Sequence, residues 1–472
     1  MKAITRWIAT MLGVLSALLG CLHFFRLRAR WGYLLLPFKL AAGAFAPLLA
    51  LLGWAGAVLG LLSGAPAAVV GGLFGMLAGL RHTRRVQASD PFALVDAFGG
   101  SWPERIAPET SARMLPTRHG PMPQSPNYAP KPFLERDVVY YTLPNHRRLL
   151  CDVWSPPAGR EHSGLAIIYA HGGAWTAFDK DFGTRPLFRH LAGQGHVIID
   201  LAYRMYPEVQ LPEMLHDVQR GVAFARLNAA HLGIDPQRLV LGGASGGGHL
   251  SLLAAYTAPA APELAVQALI APELTGHDLS VRGVFSFYGP CDLAECYTHT
   301  CQEQLPAAIR QRAAAPAAPV RGQIVLEGPA QMNTLPAPRR HLLAERAGGA
   351  HSPIHTMGWL REELEKTGGV IDLAGMLGCQ PGEAPERYAL FSPLAHAHSA
   401  CPPTLLVQGA DDLISPPAAA LALAGRLKDL RVPVVCRILP EIEHGFDLVA
   451  PKSSPSALTA LYDLERFLAL IA

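Results

Sequence analysis

Ser245 lies in Gly243-Ala244-Ser245-Gly246-Gly247, a Gly-x-Ser-x-Gly run. Apolar Leu239-Val240-Leu241 precedes it and an Ala/Leu-rich stretch follows. This is the pattern of a serine on a sharp strand-to-helix turn. Its neighbours must be small because the turn crowds them, and the helix N-terminus behind the hydroxyl favours negative charge. A phosphate loop would want Gly-Lys followed by Ser or Thr, which the run lacks. Seventy-four residues earlier, His171-Gly172-Gly173-Ala174-Trp175 also follows an apolar run, Leu165–Ala170. Adjacent glycines let bare backbone N–H groups converge on one point, as the oxyanion of a tetrahedral intermediate requires. The expected donors are Gly172, Gly173 and Ala174 together with the N–H of Gly246. His171 reads as a brace rather than a base.

A neutral serine needs a base, and the base needs an orienting acid. Leu405-Leu406-Val407-Gln408-Gly409-Ala410-Asp411-Asp412 ends a late apolar run with two acids, and Ile442-Glu443-His444-Gly445-Phe446 follows the last one. The order serine, acid, histidine assigns Ser245 as nucleophile, Asp412 as acid and His444 as base. Asp411 is the alternative acid if the loop register shifts. Glu441 and Glu443 sit too near His444 in the chain to reach around its ring. His396 and His398 are the rival histidines.

Strand-like and helix-like segments alternate around these residues. Val138–Leu143 and Leu149–Trp154 read as an antiparallel pair joined at Asn145-His146. Leu165–Ala170, Val197–Leu201, Leu239–Gly242, Val284–Tyr288, Thr404–Gln408 and Val434–Leu439 read as strands. Helix-like segments are Pro186–Gln194, Pro212–Leu232, Gly247–Tyr256, Pro416–Leu430 and Ser456–Leu470. The pattern is that of an α/β fold, a mostly parallel sheet with helices on both faces, whose ligands bind at the carboxyl ends of the strands. Residues 295–375 break the rhythm and read as a cap inserted over that end, with a short helix over Gly358–Lys366. Cys291, Cys296 and Cys301 near His299 lack a standard ligand spacing, so no metal is expected and the thiols read as free.

Ahead of this domain the composition changes. Of 40 Lys and Arg, nine fall before Asp90, whereas all 37 Asp and Glu fall from Asp90 onwards. The remainder is therefore mildly acidic, which argues against nucleic acid as a partner. Trp7–Phe25 and Leu40–Leu80 are uncharged runs of 19 and 41 residues. A hydrocarbon core of about 30 Å takes about 20 helical residues. Spans are expected over about 7–25, 40–62 and 67–80, the last short enough to be re-entrant, with a turn at Ser63-Gly64-Ala65-Pro66. A cleaved signal peptide ending near Cys21 fits less well, because basic residues and a second apolar run follow it. Seven basic residues in 26–39 and 81–85 against Lys2 and Arg6 predict an integral membrane protein with a cytoplasmic catalytic domain. The division is an anchor over 1–85, a Pro-rich linker or strap over 86–134 with nine prolines between Pro91 and Pro132, and a catalytic domain over 135–472.

The motifs resemble those of the α/β-hydrolase superfamily. They are most similar to its hormone-sensitive-lipase-like, feruloyl-esterase-like and isoprenylcysteine-methylesterase-like serine esterases. His171-Gly172-Gly173-Ala174-Trp175 resembles the oxyanion motif, with Ala174 where Gly is commoner. Tyr203-Arg204-Met205-Tyr206-Pro207-Glu208 resembles the Tyr-Arg-x-x-Pro-Glu loop, with Ala202 in place of the usual Asp before it. Gly289-Pro290 and Asp292-Leu293 resemble the segment after the sixth strand. The resemblance implies a two-step acyl transfer through Ser245, His444 and Asp412, acting on a small-molecule or lipid ester without a cofactor. The alternatives are amide or N-formyl hydrolysis by the same residues, and a non-catalytic membrane protein using the fold for interaction.

Overall fold

Continuous apolar runs of five or six residues can be buried on both faces only inside a sheet covered on both sides. A computed structural model describes residues 2–88, 92–116, 131–258, 269–302, 331–332 and 372–472, and the runs form that sheet. The strands are β1 Phe133–Thr142, β2 Arg148–Ser155, β3 Ala166–Ala170, β4 Val197–Ala202, β5 Leu239–Ala244, β6 Gly283–Phe287, β7 Gln331–Met332, β8 Thr404–Gly409 and β9 Val434–Leu439. Among the described residues their order is β7-β1-β2-β4-β3-β5-β6-β8-β9. From β4 to β9 all pairs are parallel, and the β7, β1 and β2 edge is antiparallel. Every residue of β3, β5, β6 and β8 is buried. The antiparallel edge exposes part of β1, as a one-sided sheet does.

The expected helices are present with ends shifted by a residue or so: Arg185–Gly193, Gly246–Thr257, Pro417–Asp429 and Pro455–Ile471. Pro212–Leu232 is divided at Asn228 into Leu211–Leu227 and Ala229–Leu232. Two short helices, Leu373–Leu377 and Pro385–Leu390, were not anticipated. Most of the expected cap, including Gly358–Lys366, lies outside the described residues. What is described of it is a turn of helix at Leu293–Tyr297 that continues through Thr298–Gln302, strand β7 on the edge of β1, and residues 372–375 at the start of helix Leu373–Leu377. Cys291 and Cys296 are buried, and no metal-binding cluster occurs among the described residues.

The N-terminal expectations need correction in their boundaries. The helices are α1 Lys2–Cys21, α2 Ala29–Ala44, α3 Ala46–Ser63 and α4 Pro66–Gln87. A span over 40–62 is not continuous. The chain bends at Phe45 (φ −102°, ψ 16°), and α3 starts at the bend with Pro47 in its first turn, where a missing N–H costs nothing. The segment expected over 67–80 does not end at Leu80. It is the apolar part of a 22-residue helix that runs on through Arg81, Arg84 and Arg85. The basic stretch 26–39 is mostly helix α2, which carries Lys39 inward to 3 % exposure.

Helices α1, α3 and α4 pack backbone to backbone. A Cβ on Gly72 would lie 2.4 Å from the Gly53 carbonyl oxygen, and one on Gly75 would lie 2.4 Å from Ser16 Oγ. The buried positions of α1 are Ala9, Gly13, Ser16 and Gly20, a small-residue stripe at helical spacing. Large apolar side chains face outward. Among the described residues, every exposed large hydrophobe except Leu227 and Leu421 lies before residue 78.

Of the linker or strap expected over 86–134, residues 92–116 are described, and they pack against the domain as short helical pieces. They form α5 Phe92–Phe98 and two short helical turns, Trp102–Arg105 and Pro108–Ser111. Ala93, Leu94, Ile106, Met114 and Leu115 are buried in the same cluster as Trp154, Ile167 and Phe467. The prolines of the two turns sit in first-turn positions. Glu465 Oε1 accepts from the Leu115 N–H at 2.6 Å, and Arg466 donates to the Leu115 carbonyl at 2.8 Å.

Candidate active site

At the carboxyl end of β5 the chain must reverse into a helix within one residue. Ser245 takes the strain, with φ 52° and ψ −124°. Its flanking glycines have no room for a side chain. A Cβ on Gly243 would lie 2.5 Å from the Ala170 oxygen, and one on Gly247 would lie 2.0 Å from the same atom. The Ser245 N–H donates to the Phe287 carbonyl at 2.8 Å. The next N–H, that of Gly246, is therefore the first at the open N-terminus of the helix.

The β3 loop lies against this turn. A Cβ on Gly172 would lie 3.3 Å from Ser245 Cβ, so the Gly172 backbone touches the serine. Gly173 (φ 122°), Ala174 (φ 52°) and Trp175 (φ 61°) keep positive φ in succession. The His171 ring stacks on Tyr203 at 4.5 Å, its Nδ1 donates to the Gly172 carbonyl at 2.7 Å, and Tyr203 donates to the His171 carbonyl at 2.9 Å. Burial holds His171 below its ordinary pKa, so it stays neutral and shapes the loop. Arg204, two residues past the Ala202 departure, binds Asp217 through two 2.8 Å bonds.

Two later loops complete the cluster. After β8, Asp412 is buried and accepts from Ile414 N (2.8 Å), Ser415 N (2.7 Å) and Gln408 Nε2 (2.7 Å). After β9, His444 Nδ1 lies 2.9 Å from Asp412 Oδ2, and His444 Nε2 lies 2.9 Å from Ser245 Oγ. The carboxylate fixes the proton on Nδ1, which leaves Nε2 as the acceptor for the serine hydroxyl. Ser245, His444 and Asp412 are thus one hydrogen-bonded chain, assembled from three strand ends. Tyr288 lies beside the imidazole, ring centroids 4.5 Å apart, and donates its hydroxyl to Asp447.

The rival residues are engaged elsewhere. Asp411 pairs with Arg26 and Lys39, Glu443 with Lys39, and Glu441 with Arg81 and Arg85. His396 and His398 each bond a backbone carbonyl, of Leu390 and Tyr256. Sequence reasoning missed Gln408, Tyr288 and above all Lys39. Gln408 was visible as the polar end of an apolar strand. Lys39 gave only the signal of a lone charge next to a 41-residue uncharged run.

With this geometry in hand, two family profiles match the chain: BD-FAE over residues 151–326 and the Prolyl oligopeptidase family over residues 346–464. The chain is similar to the probable carboxylic ester hydrolase LipM of Mycobacterium tuberculosis, 26 % identical over 71 % of this chain and 60 % of LipM. It is similar to the esterase LipQ of the same organism, 24 % identical over 79 % of this chain and 72 % of LipQ. The chain therefore spans less than two thirds of the length of LipM. Among solved structures, Thermogutta terrifontis esterase 2 phosphonylated by sarin aligns at a TM-score of 0.45 and 18 % identity, over 73 % of this chain and 93 % of its own.

Proposed function

We propose that this chain, with its α/β-hydrolase fold, is a membrane-anchored serine carboxylic-ester hydrolase. The observation that carries the reading is the unbroken Ser245–His444–Asp412 chain with the Gly172–Ala174 backbone against the serine. His444 takes the hydroxyl proton as Ser245 Oγ attacks the ester carbonyl, and Asp412 stabilises the imidazolium that forms. N–H groups of Gly172, Gly173, Ala174 and Gly246 receive the oxyanion. His444 then protonates the leaving alcohol. Water, deprotonated by the same imidazole, cleaves the acyl-enzyme and regenerates Ser245. The names of LipM and LipQ support an ester as the scissile bond.

Anchoring is supported by the inverted packing of α1, α3 and α4. Two of the helices, Lys2–Phe24 and Ala46–Ser63, are long and apolar enough to cross a membrane. Ala9 packs with Ala65 and Ala68, so Lys2 and Arg6 lie toward the α3–α4 turn. His23 stacks on His82 at 3.9 Å, so the seven other basic residues lie toward the catalytic domain. By the positive-inside bias that domain faces the cytoplasm.

The test is a fluorophosphonate probe on membrane fractions, followed by esters of graded acyl length beside N-formyl and amide substrates. Labelling of wild type that disappears in Ser245→Ala, with turnover of esters, is the expected result. Preferential amide or formyl cleavage would move the assignment to an amidohydrolase. An unlabelled wild type would exclude an active serine hydrolase.

A further inference from the structure

Each loop-borne member of the triad is preceded by a carboxylate: Asp411 before Asp412, and Glu443 before His444. Both carboxylates meet one cation. Lys39 Nζ lies 2.9 Å from Asp411 Oδ2 and 2.8 Å from Glu443 Oε1, and donates a further bond to the Phe25 carbonyl at 2.8 Å. All three ammonium protons are thereby used. The second oxygen of Glu443 accepts from the N–H of Leu413, the residue after Asp412, at 3.1 Å. The Lys39 side chain is 2 % exposed and that of Glu443 is 1 % exposed. Around this node Leu413 and Val449 pack in one cluster with Leu27, Tyr33, Leu36 and Leu40.

The two loops are tied at their base by a backbone bond from Asp411 N to the Ile442 carbonyl, 3.0 Å. Nearer the acid and the imidazole, the Lys39 node joins the Asp412–His444 pair and the Leu413–Glu443 bond in tying the loops. An imidazole misplaced by about 1 Å can cost a hundredfold in rate, so a clamp at this position acts on the chemistry. We propose that Lys39 of α2 is a positioning residue for the hydrolytic reaction, which makes the N-terminal helical region part of the catalytic apparatus as well as a tether. The ammonium holds the acid loop and the histidine loop in register through their preceding carboxylates. It does not touch the substrate. Burial pushes the Glu443 carboxyl up to about 7, and the Lys39 ammonium pulls against that rise. The inference rests on the hydrolase reading above.

The test uses the full chain in detergent micelles or nanodiscs. Lys39→Met and the neutral pair Lys39→Met/Glu443→Gln are compared with wild type. The readouts are kcat and KM on a short soluble ester, the rate of inactivation by a fluorophosphonate, and the thermal midpoint. Lys39→Met is expected to lower kcat about 10- to 100-fold, with KM within about twofold. Fluorophosphonate inactivation should slow in proportion. The double variant removes the stranded carboxylate and should recover stability while keeping the kcat deficit. A kcat within twofold of wild type in Lys39→Met, or a deficit that vanishes in the stable double variant, overturns the proposal. If Lys39→Met fails to fold, the double variant decides alone. An unreactive wild type would instead sink the hydrolase reading, so the two failures are distinguishable.

Discussion

The two halves of this chain solve the packing problem in opposite directions. In the α/β domain, large apolar residues such as Leu241, Leu253, Phe285 and Phe467 are fully buried. In α1 and α3 the buried positions are glycine, alanine and serine apart from Leu49, and the apolar part of α4 buries Ala68, Gly72, Gly75, Ala78 and Gly79, while Trp7, Leu51, Trp54 and Leu62 face out. Water drives the first arrangement, because burying apolar area is worth about 25 cal/mol per Å². On the membrane-anchored reading proposed above, lipid tails as apolar as leucine would give the second no such gain, and close backbone contact would take over. Between the halves lies an ionic seam, with Lys39, Arg26, Arg81 and Arg85 set against Asp411, Glu441 and Glu443.

The contrast can be challenged at four points. The largest effect belongs to the chemistry of the α/β half. Ser245→Ala and His444→Ala should each lower kcat by at least about 10⁴-fold, with the circular dichroism spectrum unchanged. Residual turnover above that level, normalised to folded protein, would displace the triad.

Next comes an exchange of packing rules. Leu253→Ala should destabilise the domain by about 2–5 kcal/mol, the usual cost of a leucine-sized cavity. Gly72→Leu should do comparable harm by the opposite route, since its first side-chain carbon already meets the Gly53 carbonyl at 2.4 Å. Leu73→Ala, one residue on and 44 % exposed, should be close to neutral. Thermal inactivation midpoints of the three variants rank them. A harmful Leu73→Ala with a tolerated Gly72→Leu would reverse the packing assigned to α4.

A charge on the outer face is the third probe. Trp54 is 54 % exposed near the middle of α3. Trp54→Arg should cost about 2.5–3.5 kcal/mol of insertion, read as chain released from membranes by alkaline carbonate. Complete release of the wild type would remove the membrane from the picture.

The smallest effect is the pH response of the seam. Glu443 has its carboxyl raised from 4.5 to about 7 by burial, opposed by Lys39 and reinforced by Asp412 and Asp411. The folded chain therefore holds this proton more tightly than the unfolded one. The stabilisation is complete below about 4.5 and is lost as pH rises through about 7. Wild type should lose several degrees of thermal midpoint relative to Glu443→Gln between pH 5 and pH 8. Parallel curves would mean that Glu443 titrates near its ordinary value.

Much of this was legible in the chain because the constraints were local. Gly243 and Gly247 announce a turn that tolerates no Cβ, and the apolar runs before Ser245, His171 and Asp412 announce the strands that carry them. Boundaries inside the apolar N-terminus were harder. Hydropathy is blind to a bend such as the one at Phe45, and a helix end rich in arginine, as in α4, looks like a loop when only charge is read. Proline content left linker and strap open between 86 and 134, and Leu94, Ile106 and Leu115 are what give the segment a buried face. Lys39 was illegible for a different reason. Its partners lie 372 and 404 residues away, and no local pattern encodes so distant a pairing.

The Arg26–Asp411 contact has a consequence for how substrate would be counted. It puts the loop bearing Asp412 directly against the chain leaving α1. On the membrane-anchored ester-hydrolase reading proposed above, an ester dissolved in the bilayer would reach the serine by lateral diffusion in two dimensions. Velocity would follow the mole fraction of ester among the lipids, so diluting the membrane with inert lipid would slow the enzyme even when molarity in the tube is held constant.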